Sequence, residues 1–212
     1  MATMRLLVLG ATGGTGREVV AQALREGRAV TAFVRKPERL PVTGERLRVV
    51  TGDVTADAPA LADAVQGQDA VISALGMGNS FKSGGLIARS MPLIVRAMQR
   101  AGVRRLVFTS AYGVGDTWRD VPAVPRLVMR LFMRDLASDK QAGEVTLKAS
   151  DLDWTLVYPV TLTNGPATGR TRAGERLALS GFPRISRADL AAFMLAQLDD
   201  RTYVRRGVLI TG

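Results

Sequence analysis

Short apolar runs alternate along the 212-residue chain with stretches in which apolar residues recur at helical spacing. A short, continuous apolar run is typical of a buried strand in a parallel sheet. Such runs occupy residues 6–9, 30–34, 47–50, 70–75, 106–108, 154–157 and 208–210. The alternation predicts a doubly wound, Rossmann-type α/β fold, with a mainly parallel sheet of about seven strands and helices on both faces. We expect a single domain covering residues 1–212.

Two of the intervening helices have clear signatures. Ser186, with Asp189 three residues later, forms a capping box that predicts a helix start. Another helix places its apolar residues on one face, at intervals of three or four: Ile87, Met91, Ile94 and Met98. Residues 161–182 are predicted to be a long irregular segment beyond a strand's carboxyl end, where open α/β sheets bind ligands, so we expect them to face the substrate.

The segment after the first strand carries the strongest functional signal. Residues 10–16 read Gly-Ala-Thr-Gly-Gly-Thr-Gly, and a helix is predicted from Arg17 to Glu26. Glycines allow a tight turn and close approach of the backbone to a pyrophosphate, and the helix N-terminus offers free N–H groups. Glycines alone also occur in plain turns, but strand, loop and helix together are the context of a dinucleotide site. The sequence therefore predicts dinucleotide binding.

Cations stand where NAD-binding proteins usually carry a carboxylate. That carboxylate lies about 20 residues beyond the loop and holds the ribose 2′-hydroxyl. At this spacing the chain has Arg35, Lys36 and Arg39, which would suit a 2′-phosphate. The alternative is a solvated basic loop. We expect NADP(H) to be preferred over NAD(H).

Composition removes several kinds of chemistry. The chain has no cysteine and no histidine, which excludes thiolate nucleophiles, zinc–thiolate sites and the commonest general base. Proton transfer must use tyrosine, lysine, a carboxylate, a hydroxyl or water, and we expect no metal. The formal net charge of +10 favours anionic ligands, although scattered cations also suit a solvated surface.

No apolar run approaches the roughly 20 residues needed to cross a bilayer. Met1 leads at once into strand-like sequence without a signal-peptide pattern, so a cytoplasmic location is expected. Arg126, Arg130 and Arg134 mark a basic amphipathic helix, for which a core-facing position is favoured over a membrane surface. Charge alone suggests nucleic-acid binding and no recognition motif supports it, so we expect neither nucleic acid nor membrane as a partner.

A family resemblance rests on five parts of the chain: the glycine spacing of residues 10–16, the segments Gly52-Asp53-Val54 and Thr109-Ser110-Ala111, and the runs at 71–76 and 152–159. The chain resembles the atypical short-chain dehydrogenases/reductases, within the NAD(P)H-binding group of biliverdin reductase B/flavin reductase and NmrA-like proteins.

The resemblance implies a role for each matching residue. The pyrophosphate would be held by Gly10, Thr12, Gly13, Thr15 and Gly16, and the 2′-phosphate by Arg35, Lys36 and Arg39. The adenine would be flanked by Asp53 and Val54, and its ribose side by Leu75, Gly76 and Met77. The nicotinamide end would be met by Ser110, Lys140, Pro159 and Val160.

The chain departs from the family at its proton donor. Typical members carry Tyr-x-x-x-Lys, but Leu136 stands four residues before Lys140, and Pro159-Val160-Thr161 lacks the histidine of some flavin-reductase-like members. Tyr112 is a candidate substitute donor, with water as the alternative, in which case no essential acid would titrate near neutral pH. Lys140 is expected to bind ribose hydroxyls, or else to be an ordinary surface lysine.

Hydride transfer to a planar, conjugated acceptor needs chiefly positioning. We therefore expect an NADPH-dependent reductase of a small planar substrate, either a flavin, a quinone or a tetrapyrrole-like acceptor, working as a monomer or weak homo-oligomer. Aromatic residues beyond strand ends would hold the acceptor or else pack in the core: Phe81, Tyr112 and Trp118. The alternative function is an NADP(H)-binding redox sensor of NmrA-like type with little or no turnover.

Overall fold

The structure, a computed structural model, describes residues 3–76, 83–121, 126 and 134–212. The strands are β1 (Arg5–Leu9), β2 (Ala29–Val34), β3 (Leu47–Thr51), β4 (Ala70–Ser73), β5 (Arg105–Thr109), β6 (Asp153–Pro159), β7 (Thr161–Thr163), β8 (Arg172–Gly174), β9 (Arg184–Ser186) and β10 (Arg206–Thr211). The helices are α1 (Gly14–Arg25), α2 (Ala58–Val65), α3 (Leu86–Ala101), α4 (Arg134–Lys148) and α5 (Arg187–Ala196).

The main sheet has eight strands in the order β3-β2-β1-β4-β5-β6-β10-β8. Neighbouring strands are parallel except for β8, which runs antiparallel to β10 at the edge. The predicted Rossmann-type, mainly parallel sheet is confirmed, with one strand more than the seven apolar runs indicated. The strand order reverses between β1 and β4, and ligands of such sheets bind at this switch point.

The central strands are mostly apolar because helices cover both of their faces. Leu6, Leu7, Val8 and Leu9 of β1 have no exposed surface, and every residue of β4 and β5 is buried. At the edge, β3 is only partly covered, and Val49 is 42% exposed. β4 ends at Ser73, two residues before the predicted end, so residues 74–76 are free to turn towards the switch point.

The helix signatures are confirmed. The apolar face of α3 is buried against the core through Ile87, Met91, Ile94 and Met98. The hydroxyl oxygen of Ser186 accepts the backbone N–H of Asp189 at 2.9 Å, which caps α5. The first helix begins at Gly14, three residues before the predicted start, so the glycine-rich segment forms its first turn.

Residues 161–182 are more ordered than the sequence indicated. They contain β7, which pairs with β9 in a small parallel sheet, and the edge strand β8. Each of these strands has only three residues, so no apolar run announces them. Of the predicted basic helix, Arg126 and Arg134 are described, while Arg130 lies outside the described residues. Within the described ranges, no helix is long and apolar enough to cross a membrane.

Candidate functional site

A cleft of about 740 Å³ opens at the carboxyl ends of β1, β2, β4, β5 and β6. Most of the predicted site residues line it: Gly10, Thr12, Gly13, Thr15, Arg35, Arg39, Val54, Leu75, Gly76, Ser110, Lys140, Pro159 and Val160. The lining does not include Gly16, Lys36 or Asp53, and Met77 lies outside the described residues. One cleft therefore joins the predicted phosphate end to the predicted nicotinamide end.

The phosphate loop requires glycine at specific positions. Gly10 has a φ of +80°, and a Cβ there would lie 2.7 Å from the backbone carbonyl carbon of Ala74. A Cβ at Gly16 would collide with the carbonyl oxygen of Gly10, which explains this glycine although it is outside the cleft lining. Gly13 precedes α1 and offers no side-chain cap, so the first-turn N–H groups are available to a phosphate.

The basic end of the cleft contains a cluster of arginines. Arg35 and Arg39 lie beside Arg17, whose Nη2 donates to the carbonyl oxygen of Arg39 at 3.1 Å. Arg187 also lines the cleft, and its side chain packs over Gly14 while Nη1 donates to Asn164 at 2.8 Å. Sequence reasoning missed both additional arginines.

Arg17 and Arg187 differ in whether the sequence alone could have revealed them. Arg17 directly follows the last loop glycine, so its position one turn into the phosphate-binding helix was readable from the sequence. Arg187 reaches the loop only because α5 packs against α1, a contact between distant segments.

Asp53 has a structural task beside the cleft. Its Oδ1 accepts the Thr55 hydroxyl at 2.7 Å and the Thr55 backbone N–H at 2.8 Å. These hydrogen bonds, aided by the charges of Arg35 and Arg89, lower the pKa of the Asp53 carboxyl. The turn fixes the neighbouring residues Gly52 and Val54, which do line the cleft.

At the opposite end, Lys140 lies beneath the end of β5. Its Nζ donates to the carbonyl oxygen of Thr109 at 3.0 Å and stands 5.5 Å from the centre of the Phe108 ring. Burial lowers the pKa of Lys140 to about 8. Leu136, which occupies the family's tyrosine position, also lines the cleft, so no tyrosine hydroxyl is supplied there.

Ser110 is joined to a buried carboxyl group that sequence reasoning did not assign to the site. Its hydroxyl donates to Oε1 of Glu144 at 2.5 Å, while the Tyr158 hydroxyl donates to Oε2 at 2.9 Å. Burial raises the pKa of Glu144, and burial beside this carboxylate raises that of Tyr158. A signal was available: Glu144 follows Lys140 by one helical turn, on the face of α4 that also buries Leu147.

Two further predicted residues, Tyr112 and Trp118, are not part of the cleft lining. The Tyr112 hydroxyl donates to the backbone carbonyl of Asp120 at 2.7 Å. Phe81 lies outside the described residues. Within the described ranges, no group of three or more acidic residues is arranged to hold a metal ion.

The glycine cradle, the uncapped helix start and the arginine cluster fit a nicotinamide dinucleotide, and they define a Rossmann-type nucleotide-binding protein. The chain belongs to the NAD(P)H-binding family, whose model matches residues 10–201. The predicted NAD(P)H-binding character is thereby confirmed.

Two curated relatives illustrate the similarity. An uncharacterised chloroplastic protein of Arabidopsis thaliana is 33% identical over 180 residues, covering 79% of this chain and 62% of that protein. A (4-alkanoyl-5-oxo-2,5-dihydrofuran-3-yl)methyl phosphate reductase of Streptomyces griseus is 30% identical over 213 residues, covering 98% of this chain and 67% of that protein. The chain thus spans less than two thirds of the first relative.

Solved structures with the same fold include two further proteins. The anaerobilin reductase ChuY of Escherichia coli O157:H7 superposes with a TM-score of 0.80 at 24% identity, covering 98% of this chain and 96% of that chain. A short-chain dehydrogenase/reductase of Veillonella parvula in complex with NADP gives a TM-score of 0.81 at 21% identity, covering 100% and 95%. Sequence identities this low establish only a shared fold. The reductase and oxidoreductase names among the curated relatives agree with a general oxidoreductase role.

Proposed function

We propose that this protein is an NADPH-dependent reductase that transfers hydride to a small conjugated acceptor, for which a flavin, a quinone, a conjugated carbonyl compound and a tetrapyrrole-like pigment are the candidates. The observation that carries the proposal is the single cleft that connects the arginine cluster with Ser110 and Lys140. A dinucleotide bound along it would have its phosphates on the glycine loop and its nicotinamide near Pro159 and Val160.

Different residues would act at the two ends of the cleft. Arg17, Arg35 and Arg39 would bind a 2′-phosphate, which supports NADP(H) over NAD(H) as the preferred cofactor. When bound, the cofactor supplies the hydride. The protein would orient the nicotinamide between the end of β6 and Ser110, and hold the acceptor at near-attack distance.

Names among the similar proteins agree with an acceptor of this class. One curated relative is named as the reductase of an unsaturated oxo-dihydrofuran, and one structural neighbour as an anaerobilin reductase. Another neighbour binds NADP. These proteins support a reductase acting on conjugated compounds and do not select one acceptor.

The test is to follow NADPH absorbance with FMN, FAD, menadione, a conjugated lactone and biliverdin, while cofactor binding is measured in parallel by calorimetry. We expect oxidation of NADPH with at least one acceptor. Gly16→Val, which blocks the loop, serves as the control and should lose both binding and oxidation. Tight NADPH binding by the parent protein without oxidation in any mixture would contradict the proposal and favour the redox-sensor alternative.

A further inference from the structure

We propose that Glu144 and Ser110 form a proton relay that opens into a second cleft and replaces the missing tyrosine as the proton source for the reduced acceptor. The inference deepens the proposed reductase function and rests on it.

The two residues line different clefts, and α4 contributes to the lining of both. Ser110 lines the cofactor cleft, whereas Glu144 lines a second cleft of about 600 Å³ together with Asp116, Lys148 and Tyr158. The short contact between the Ser110 hydroxyl and Oε1 of Glu144 is therefore a bridge between the two clefts. Oε1 of this carboxyl group contacts Ser110 on the reaction side, whereas Oε2 contacts Tyr158, which lines the second cleft.

The surroundings of Glu144 favour the protonated form of its carboxyl group more than bulk water does. Its residue surface is 1% exposed, and the backbone of Gly115 packs so closely that a Cβ there would collide with Oε2. Burial raises the pKa of Glu144, and the hydrogen bonds from Ser110 and Tyr158 offset only part of this increase. Desolvation of the charged form is the dominant effect.

The charged groups that face Glu144 come from two elements. Lys148 on the same helix has Nζ 4.0 Å from Oε2, and this amine also pairs with Asp116 of the neighbouring 3₁₀ turn at 2.6 Å. Lys140 lies one turn earlier on α4, but its Nζ is bonded to the Thr109 carbonyl. From β6, the uncharged Tyr158 hydroxyl donates to Oε2. No cation is in direct contact with Oε1, the oxygen that touches Ser110, among the described residues.

The relay delivers one proton to the acceptor in each turnover. When Glu144 is protonated, it donates to Ser110 Oγ, and the Ser110 hydroxyl is free to donate into the cofactor cleft. The acceptor gains two electrons with the hydride; Ser110 gives it a proton and takes the proton of Glu144. Glu144 is left as a carboxylate and regains a proton from water through the second cleft. Each turnover consumes one NADPH and one proton and yields NADP⁺ and the doubly reduced acceptor.

This relay selects among the conjugated acceptors. A quinone or conjugated carbonyl compound becomes a basic phenolate or enolate after hydride arrival, and that oxygen or carbon requires a proton. A flavin spreads the charge over its ring and needs far less help. We therefore expect the relay to matter for menadione and to be nearly dispensable for FMN.

The kinetic test compares Glu144→Gln, Ser110→Ala and the double variant with menadione and with FMN across the pH range. Loss of a general acid costs roughly 100-fold or more in rate, and we expect this loss in kcat for menadione but not for FMN. Because the two groups act in series, the double variant should be no slower than the slower single variant. Glu175→Gln is the matched control, since Glu175 lines the same second cleft but pairs with Arg206.

The pH profile separates a proton relay from a merely structural role. The parent rate with menadione should fall as pH rises through the pKa of Glu144, and the fall should be absent in Glu144→Gln. If Glu144→Gln folds poorly, two surface variants test the same pH dependence. Lys148→Met should move the fall to higher pH, because this charge lowers the pKa of Glu144. Asp116→Asn should move it to lower pH, because this carboxylate raises that pKa.

A readout without turnover comes from carbon-13 NMR of the glutamate carboxyl groups, with the Glu144 signal assigned by its loss in Glu144→Gln. It should titrate above the exposed glutamates and shift with Lys148→Met and Asp116→Asn as the kinetics do. Titration at an ordinary glutamate pKa, or an unchanged pH profile in Glu144→Gln, would overturn the relay alone. Reduction of FMN only would also overturn it. Absence of NADPH oxidation by the parent protein with every acceptor would overturn the reductase function and the relay together.

Discussion

The side-chain nitrogen of Lys140 donates a hydrogen bond to the backbone carbonyl oxygen of Thr109 at 3.0 Å, in a position that is only 6% exposed. The lysine thereby joins α4 to the end of β5, next to Ser110. A buried ammonium group is costly, and its burial lowers the pKa of Lys140 to about 8. The contact that orders the reaction end of the cleft is therefore sensitive to pH.

The first prediction concerns stability at alkaline pH. Between about 8 and the ordinary lysine value of 10.5, the unfolded chain binds a proton at Lys140 that the folded protein does not. The free energy of unfolding contributed by this group should therefore rise with pH across that window, by roughly 3 kcal/mol at most. Urea unfolding at several pH values measures it.

Lys140→Met should remove this rise because the titrating group is gone. Lys36→Met, an exposed lysine, provides the control and should retain the slope of the parent protein. Equal slopes in the parent and in Lys140→Met would mean that Lys140 is not buried as described.

The second prediction concerns the start of α3. Gly85 precedes this helix and has no side chain, so the carboxylate of Asp139 supplies the cap from α4, accepting the N–H groups of Ala88 at 2.8 Å and Ile87 at 3.1 Å. Asp139→Ala leaves the buried N–H of Ile87 and the half-buried N–H of Ala88 without this acceptor, and should cost about 1–3 kcal/mol of unfolding free energy.

Asp139→Asn keeps one acceptor and should cost less. The comparison variant is Asp57→Ala, which removes an ordinary cap at Ala60 near the surface. Denaturant unfolding measures all three variants. If Asp139→Ala cost no more than Asp57→Ala, the cap between helices would have no special role.

Much of the fold could be predicted because it follows from local patterns. The apolar runs identify the central strands, and the spacing of Ile87 and Met91 identifies the buried face of α3. The strands that escaped prediction, such as β7 and β8, are three residues long and contain glycine, threonine and arginine. Their pairing depends on the rest of the sheet and leaves no periodic signal.

The candidate site likewise has one part that could be predicted from the sequence and another that could not. The glycine loop and Arg35 were predicted from spacing because the binding of a phosphate by a helix start is a local property. The bond between Ser110 and Glu144 joins residues separated by 34 positions, so it required the tertiary structure. Tyr112 follows a strand end as expected, but its backbone turns the ring towards Asp120.

The third prediction concerns the segment that follows β7. The carboxylate of Asp189 accepts the backbone N–H groups of Thr168 and Gly169 and the Thr168 hydroxyl, at 2.9 to 3.0 Å. Burial works to raise the pKa of Asp189, but these hydrogen bonds outweigh it and the pKa is lowered. The stabilisation is therefore present at neutral pH and is lost as pH falls through the lowered pKa.

The protection of the Thr168 and Gly169 amides, taken as the intrinsic exchange rate at each pH divided by the observed rate, should be low in Asp189→Ala at neutral pH. In the parent protein this protection should be lost only in acid. Asp199→Ala, at an exposed position beyond the end of α5, is the control and should leave exchange at both amides unchanged. Slow exchange in Asp189→Ala would show that other contacts hold the segment.

The last prediction concerns cofactor preference. Arg35 and Arg39 line the cleft beside Arg17, where a 2′-phosphate of nearly two negative charges would lie. A hydrogen bond between charged groups contributes roughly 1.5–3 kcal/mol, so Arg35→Ala should weaken NADPH binding by about ten- to a hundredfold and hardly change NADH binding. Arg35→Asp should invert the preference, because its carboxylate repels the phosphate and accepts the ribose hydroxyl. Added salt should weaken NADPH binding more than NADH binding, since the exposed part of the attraction is screened.

Arg48→Ala is the control for this prediction, because it removes the same charge from the exposed side of β3. It should leave the ratio of NADPH affinity to NADH affinity unaltered in calorimetric titrations. If the parent protein bound NADH as tightly as NADPH at low salt, the arginine cluster would be an ordinary basic surface and not a phosphate site.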